Sequence, residues 1–317
     1  TDVCGNTNES NVISVTIVPL PNGTISPANQ SVCPGSQAIF TLNFTIGTGP
    51  FGVQIFDGVT NHIRTNKANG DTVMVPIAVS PTTYTLTAIL DNNGCANSAV
   101  NSSAFATISP AINVSGAIPT PVTCSGGNDG TITVSASGGT PAFEYSIDNG
   151  VTYQVSNQFT GLVAGPYNVV VKDALGCTEA FSGNPVQVTQ PTQVTVTSTS
   201  QDASCSGVFD GSITVTPGGG IPGYTYSLNG GPSFVNPTIT GLGAGVYTII
   251  VTDNNGCTAS IQDTINNAYL VTSTVASQTD VSCFGGNNGE FTLSLSGGIP
   301  QYQYSINGGL TYQLSPT

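Results

Sequence analysis

Apolar and polar residues alternate along AIFTLNFTI at 38–46. They alternate again along FGVQIFD, HIRTN, DTVMVPIAV, YTLTAILD and SAFATI before residue 110. Alternation at period two predicts half-buried β-strands, and Gly, Pro and Asn turns separate the segments. No window carries an apolar stripe at helical spacing. The pattern then returns further along. Gly130-Thr-Ile-Thr-Val134, Gly211-Ser-Ile-Thr-Val215 and Gly289-Glu-Phe-Thr-Leu293 each read as a glycine turn into a strand. Gly138-Gly139, Gly219-Gly220 and Gly297-Gly298 follow, each two residues before a proline, and predict a left-handed turn that ends the strand. Phe143-Glu-Tyr145-Ser-Ile147, Tyr224-Thr-Tyr226-Ser-Leu228 and Tyr302-Gln-Tyr304-Ser-Ile306 each place two aromatics and one aliphatic on one face. Asn149-Gly150, Asn229-Gly230 and Asn307-Gly308 then predict tight hairpins.

A further shared stretch, Leu162-Val-Ala-Gly165-Pro-Tyr167 and Leu242-Gly-Ala-Gly245-Val-Tyr247, suggests a tyrosine corner. In that device Tyr167 and Tyr247 would bond backbone upstream and tie one sheet to the other. The first repeat has only Pro81-Thr-Thr-Tyr84 there. The period is about 80 residues, long enough for a small domain per repeat. The predicted fold is all-β: tandem immunoglobulin-like (fibronectin-like) β-sandwiches of some seven strands each. Residues 1–18 are expected to be the last strand of a preceding repeat. The repeats are expected at 19–110, 111–190 and 191–269, with a truncated one at 270–317. The linkers Pro110-Ala111, Gln190-Pro191 and 266–268 are short, so neighbouring repeats are expected to touch.

Charge narrows the function. The chain has 3 Lys+Arg against 16 Asp+Glu, a net −13, and 6% charged residues, where globular proteins carry about 25%. Arg64, Lys67 and Lys172 are the only cations. That excludes the Lys and Arg clusters that bind phosphate backbones, so neither nucleic acid nor an anionic membrane is an expected partner. So few basic residues also leave trypsin-like proteases little to cut, which suits an exposed protein. No apolar run reaches the ~18 residues of a membrane-spanning helix. No signal peptide opens the chain. An export signal is expected to lie outside this sequence, because Cys4 resembles the close of a repeat.

Catalytic chemistry finds little support. His62 is the only histidine and reads as a solvated strand residue rather than a triad base. No glycine-rich loop leads into a helix. The chain is read as a non-enzyme without a cofactor. Asp129, Asp148, Asp173, Asp210 and Asp253 recur in carbonyl-rich turns. Such turns could offer oxygen to Ca²⁺, or the carboxylates could cap their own backbone. Capping is the expectation, since no loop gathers three carboxylates.

CxGxxDG before a strand, then GGxPxxxYS, an NG turn, GLxAGxY and DxxGC resemble the SprB-type repeats of the giant gliding-motility adhesins of Bacteroidetes. The resemblance covers about 124–317, with Phe143 departing from the commoner tyrosine and a last copy lacking its closing half. The first repeat looks like the PKD-like or immunoglobulin-like modules strung beside them. The resemblance implies export by type IX secretion, display on the outer surface of a bacterium, and adhesion or gliding. Asp71-Thr72-Val73 and Asp263-Thr264-Ile265 resemble the O-glycosylation sequon of the same bacteria, which would place glycans on Thr72 and Thr264.

In a non-reducing surface setting the eight cysteines are expected in disulfides. Zinc is the weaker alternative, with no CxxC pair and one histidine. Three pairings fit the spacing. Within-repeat bonds would join Cys33 to Cys95, Cys124 to Cys177 and Cys205 to Cys257, leaving the partners of Cys4 and Cys283 outside the chain. Cross-linker bonds would join Cys4 to Cys33, Cys95 to Cys124, Cys177 to Cys205 and Cys257 to Cys283. A third scheme clasps each opening cysteine to the closing cysteine of the next repeat. Strand parity in a seven-strand sandwich argues against the first scheme, yet modular domains usually staple themselves, and self-stapling is the pairing expected here. The expected function is an extracellular stalk of a large surface adhesin, whose partners are neighbouring repeats, surface glycans or other copies of itself. A self-assembling surface filament and a carbohydrate-binding module are the rival readings.

Overall fold

Every regular element is a β-strand among the described residues, which are 15–205, 207–267, 271–298 and 300–316 of a computed structural model. Cys4 and most of the strand expected at 1–18 lie outside them. The chain divides into two units. The first comprises 1–118, 133–158 and 167–186, and the second 119–132, 159–166 and 187–317.

The first unit opens with strands β1 (Asn22–Ser26), β2 (Asn29–Val32), β3 (Ala38–Ile46), β4 (Phe51–Phe56), β5 (Asn61–Lys67), β6 (Thr72–Val75), β7 (Thr82–Leu90), β8 (Ala96–Asn97) and β9 (Ser102–Ile108). One sheet runs β1-β3-β6, and the other runs β2-β9-β7-β4-β5 with β8 on β7. The alternation predicted from the sequence is the burial pattern observed. Phe40, Leu42, Ile55, Tyr84, Leu86 and Ile89 are fully buried between the sheets. Tyr84 Oη donates to the Pro76 carbonyl at 2.6 Å, so its buried hydroxyl is satisfied.

Nine short strands replace the seven expected. Pro27, which has no N–H to donate, separates β1 from β2. β1 pairs antiparallel with β3, whereas β2 pairs parallel with β9. Pro76 likewise ends β6 at Val75, well short of the predicted DTVMVPIAV strand.

The second repeat supplies β10 (Ile112–Thr120), β11 (Gly130–Gly138), β12 (Glu144–Ser146), β13 (Gln158–Leu162), β14 (Gly165–Tyr167), β15 (Val170–Lys172), β16 (Thr178–Ala180) and β17 (Val186–Val188). The third supplies β18 (Thr195–Gln201), β19 (Gly211–Gly218), β20 (Thr225–Leu228), β21 (Thr238–Leu242), β22 (Gly245–Thr252) and β23 (Thr258–Ile265). β24 (Thr272–Thr279) and β25 (Glu290–Ser296) pair antiparallel after it. In the third repeat β18-β19-β21 faces β20-β22-β23 over Ile213, Val215, Tyr226, Ile249 and Val251. Between β20 and β21 lies one more traverse, reduced to a single antiparallel bridge between Tyr226 and Phe234.

That traverse decides where the cysteines lie. Near Cys205, Gly211 at the start of β19 pairs with Leu242. Beyond the far end of β19, the Ile221 N–H donates to Asp253 Oδ2 at 2.8 Å, beside Cys257. The eight residues of β19, at ~3.3 Å each, separate the two ends by about 25 Å. The first repeat is built likewise: Cys33 precedes β3, and beyond its end Thr48 O accepts from Asn92 N, next to Cys95. A disulfide needs Cα atoms within ~7 Å, so neither the first nor the third repeat can staple itself.

The observed bonds are Cys33–Cys177 and Cys124–Cys257, with Cα atoms 5.4 and 5.6 Å apart. This corrects both the self-stapling of Cys33 with Cys95, Cys124 with Cys177 and Cys205 with Cys257, and the cross-linker scheme. Each opening cysteine reaches the closing cysteine of the next repeat. Cys95, Cys205 and Cys283 are thiols.

Candidate functional site

The clasps are made from two recurring turns. The closing turn is Asp-x-x-Gly-Cys. Asp173 Oδ1 accepts the N–H groups of Leu175 and Cys177 at 3.0 and 2.9 Å, and its Oδ2 accepts Thr140 N at 2.9 Å. Asp253 repeats this with Asn255, Cys257 and Ile221 at 2.9, 2.8 and 2.8 Å. Asp91 does so with Asn93 and Cys95 at 3.0 and 2.9 Å, and with Thr48 at 3.5 Å. Each aspartate is buried and fixes the cysteine backbone through its own N–H. The glycine supplies the positive φ that closes the turn, as at Gly176 (84°) and Gly256 (86°).

The opening turn is simpler. The carbonyls of Cys33, Cys124, Cys205 and Cys283 each accept an N–H three residues on, from Ser36, Gly127, Val208 and Gly286. In the SprB-like copies the residue before the cysteine is tied down by a side chain six residues later. Asp129 accepts from Thr123 N at 2.9 Å and from its hydroxyl. Asp210 accepts from Ser204 N and Oγ at 2.9 and 2.6 Å. Asn288 Oδ1 takes the same place with Ser282 N at 3.0 Å.

In the first clasp Cys177 is buried, and its sulfur lies 3.7 Å from the buried Ser109 hydroxyl. In the second, Cys257 Sγ lies 3.5 Å from Thr123 O, and Asn255 Nδ2 donates to the same oxygen at 3.2 Å. In the second clasp the closing turn is therefore held to the opening turn of the repeat before it by a side-chain hydrogen bond to a backbone carbonyl as well as by sulfur.

Capping accounts for the aspartates named from the sequence. Asp129, Asp173, Asp210 and Asp253 spend their oxygens on N–H and hydroxyl donors, and Asp148 does the same with Ser146, Val151 and Thr152. Among the described residues no three His, Cys, Asp or Glu side chains gather as a metal site. Asp91 was not among the candidates from sequence, although the DNNGC it shares with the Asp253 turn marks it. Replacing Asp91 by Ala is expected to cost about 2 kcal/mol, because it leaves buried N–H groups unpaired. Urea denaturation of the first sandwich measures it, and an unchanged midpoint would refute the capping role.

The donors also hold four of these carboxyls, Asp129, Asp148, Asp210 and Asp253, below the usual carboxylate range, Asp148 chiefly through the Thr152 hydroxyl. For Asp129 the first cause is the Thr123 hydroxyl, for Asp210 the Ser204 hydroxyl, and for Asp253 the Ile221 N–H. A depressed folded-state pKa contributes stability above the unfolded value of ~3.9, which is lost as pH falls through the folded one. The melting temperature is expected to be flat from neutral pH to about 4 and to drop below it. A melting temperature that rises on acidification would contradict this.

The remaining candidates stand apart from the clasps. His62 Nε2 meets both Asp57 Oδ2 (2.7 Å) and Thr60 Oγ1 (3.2 Å). A triad needs the base to use its two ring nitrogens for the two partners, so this cluster is a turn lock. Tyr247 Oη donates to Gly243 O, four residues upstream, at 3.0 Å. Tyr167 is half-buried at the matching position of β14. Thr72 and Thr264 are exposed on β6 and β23.

The family model of the SprB repeat matches residues 113–152, 197–233 and 275–315, and each match contains one opening cysteine. No curated protein matches the chain. Among solved structures, the N-terminal four Ig domains of Dscam1 isoform 8.4 align at 16% identity over 80% of this chain and 74% of that one, with a TM-score of 0.23. The Ig1–Ig3 ectodomain of mouse nectin-like molecule 4 aligns at 13% identity over 76% and 98%, with a TM-score of 0.26. Salmonella alpha-2-macroglobulin reacted with methylamine aligns at 11% identity over 91% and 26%, with a TM-score of 0.19.

Proposed function

Because this chain carries three SprB repeats, we propose that it is a stretch of the extracellular stalk of a large bacterial surface adhesin. The observation that carries this reading is the clasp. A disulfide that closes a turn on the next repeat leaves every fold intact and adds a covalent bypass between repeats, which is what an array under tension requires. Disulfides also persist in oxidising, extracellular surroundings. The work is mechanical rather than catalytic: spacing, stiffness and resistance to proteolysis. Arg64 and Lys67 donate to carbonyls of the chain itself and Lys172 pairs with Glu144, so trypsin meets few free sites. Many copies of an uncharged Ser, Thr and Asn surface suit weak multivalent contact with glycans or with other copies. Export by type IX secretion, a part in gliding, and glycans on Thr72 and Thr264 belong to the same reading.

Protease shaving of intact producing cells tests it. The chain is expected to be released from whole cells by a protease other than trypsin, and its non-reduced fragments should retain both clasps. Recovery of the chain only after lysis, with its cysteines reduced, would refute an extracellular stalk.

A further inference from the structure

Two clasps are closed, and the same turns occur open. Cys205 sits in an opening turn built like that of Cys124: the carbonyl accepts an N–H three residues on, and an aspartate six residues after the preceding residue holds that residue. Its thiol is exposed, whereas Cys124, in its clasp, is half-buried. Beside it Val208 and Phe209 are 39% and 72% exposed, where the closed turn has Gly127 and Asn128. Cys95 is the complementary case. It sits in a closing turn with the hydrogen bonds of the Cys177 and Cys257 turns, yet its thiol is free.

We propose that Cys205, with Val208 and Phe209, is a docking face for the Asp-x-x-Gly-Cys closing turn of the repeat that follows it, and that Cys95 is the receiving half for an opening turn of the repeat before. The partner is fixed by chemistry: a capped turn presenting a buried cysteine, one repeat further on and never in the same repeat. The array thus has a polarity, each repeat giving its first cysteine forward and its second backward. Bond formation takes two thiols and a small-molecule disulfide as oxidant. Each protein sulfur loses a proton, the two electrons pass to the oxidant through a mixed disulfide, and the oxidant leaves as two thiols. The inference rests on the closed clasps alone and holds wherever the protein works.

A second copy of residues 239–269 joined after Thr317 would test it. In the third repeat the bridge Tyr226↔Phe234 precedes Pro237, whose carbonyl accepts Val215 N. In the last repeat Tyr304↔Gln313 precedes Pro316, whose carbonyl accepts Leu293 N. Thr317 therefore matches Thr238, and the added segment continues the repeat in register. After refolding with oxidised and reduced glutathione, non-reducing peptide mapping is expected to show Cys205 bonded to the added cysteine. Alkylation of Cys205 should fall roughly tenfold while Cys283 stays reactive. A bond from the added cysteine to Cys283, or free thiols at Cys205 and the added cysteine while Cys33–Cys177 and Cys124–Cys257 form, would overturn the proposal. Cys124→Ser in the original chain is the second variant. It frees Cys257, which is expected to stay alkylatable together with Cys205, and a Cys205–Cys257 bond would overturn the polarity rule.

Discussion

Reducing the two clasps is expected to lengthen the chain, pulled from its ends, by roughly 600 Å. The disulfides interleave, because Cys124 lies inside the Cys33–Cys177 loop and Cys257 outside it. The shortest covalent path from Cys33 to Cys257 crosses to Cys177, returns along ~50 residues to Cys124, and crosses again. At ~3.4 Å per residue that path stretches to about 180 Å, against about 760 Å for the ~220 residues of the open polypeptide. Single-molecule extension with and without a phosphine reductant reads the difference. Cys95→Ala and Cys205→Ala should leave the oxidised length unchanged, because neither residue is in a clasp of this chain. Lengthening in either variant would show that self-stapled repeats form instead. In solution, the Cys124→Ser, Cys257→Ser pair removes a link across 133 residues. Chain entropy sets that loss at about 5 kcal/mol. It should appear as a lower unfolding midpoint for the third repeat.

The second large effect is expected at Gly219. Its φ is +65°, and a Cβ there would lie 1.9 Å from the carbonyl oxygen of Gln193. The obstacle is backbone, so no rotamer relieves it. Gly138 meets Ala111 O in the same way at 2.1 Å, so the requirement belongs to the turn and not to one copy. Gly219→Ala is expected to destabilise its repeat by about 3 kcal/mol or more, combining left-handed strain with a clash that must move the chain entering β18. Gly230→Ala is the control. Its φ is +74°, but nothing lies within 4 Å of the added carbon, and the cost should be only the ~1 kcal/mol of the left-handed conformation. Urea denaturation of the two variants measures both. Equal midpoints would mean that the close approach to Gln193 does not constrain the turn.

Much of this was readable from the chain alone, wherever the cause is local. Alternation at period two sets strand faces, so AIFTLNFTI and YTLTAILD become β3 and β7 with their predicted residues inside. The paired glycines take positive φ at 138, 139, 219 and 220, and Asn149-Gly150 and Asn229-Gly230 do so in their hairpins. The aspartate of DxxGC needs only its neighbours and one strand end to become a cap. Strand number was less legible, because Pro27 moves the first strand from one sheet to the other and the Phe234 traverse shrinks to a bridge. Disulfide pairing was settled only in three dimensions. Cysteines at near-equal spacing permit three connectivities, and which turns share an end depends on counting every traverse between them. The Phe234 traverse makes that count odd in the third repeat, so Cys205 and Cys257 lie toward opposite ends of β19, which are about 25 Å apart. Only the packing of one repeat against the next brings Cys33 to Cys177 and Cys124 to Cys257, across separations of 144 and 133 residues.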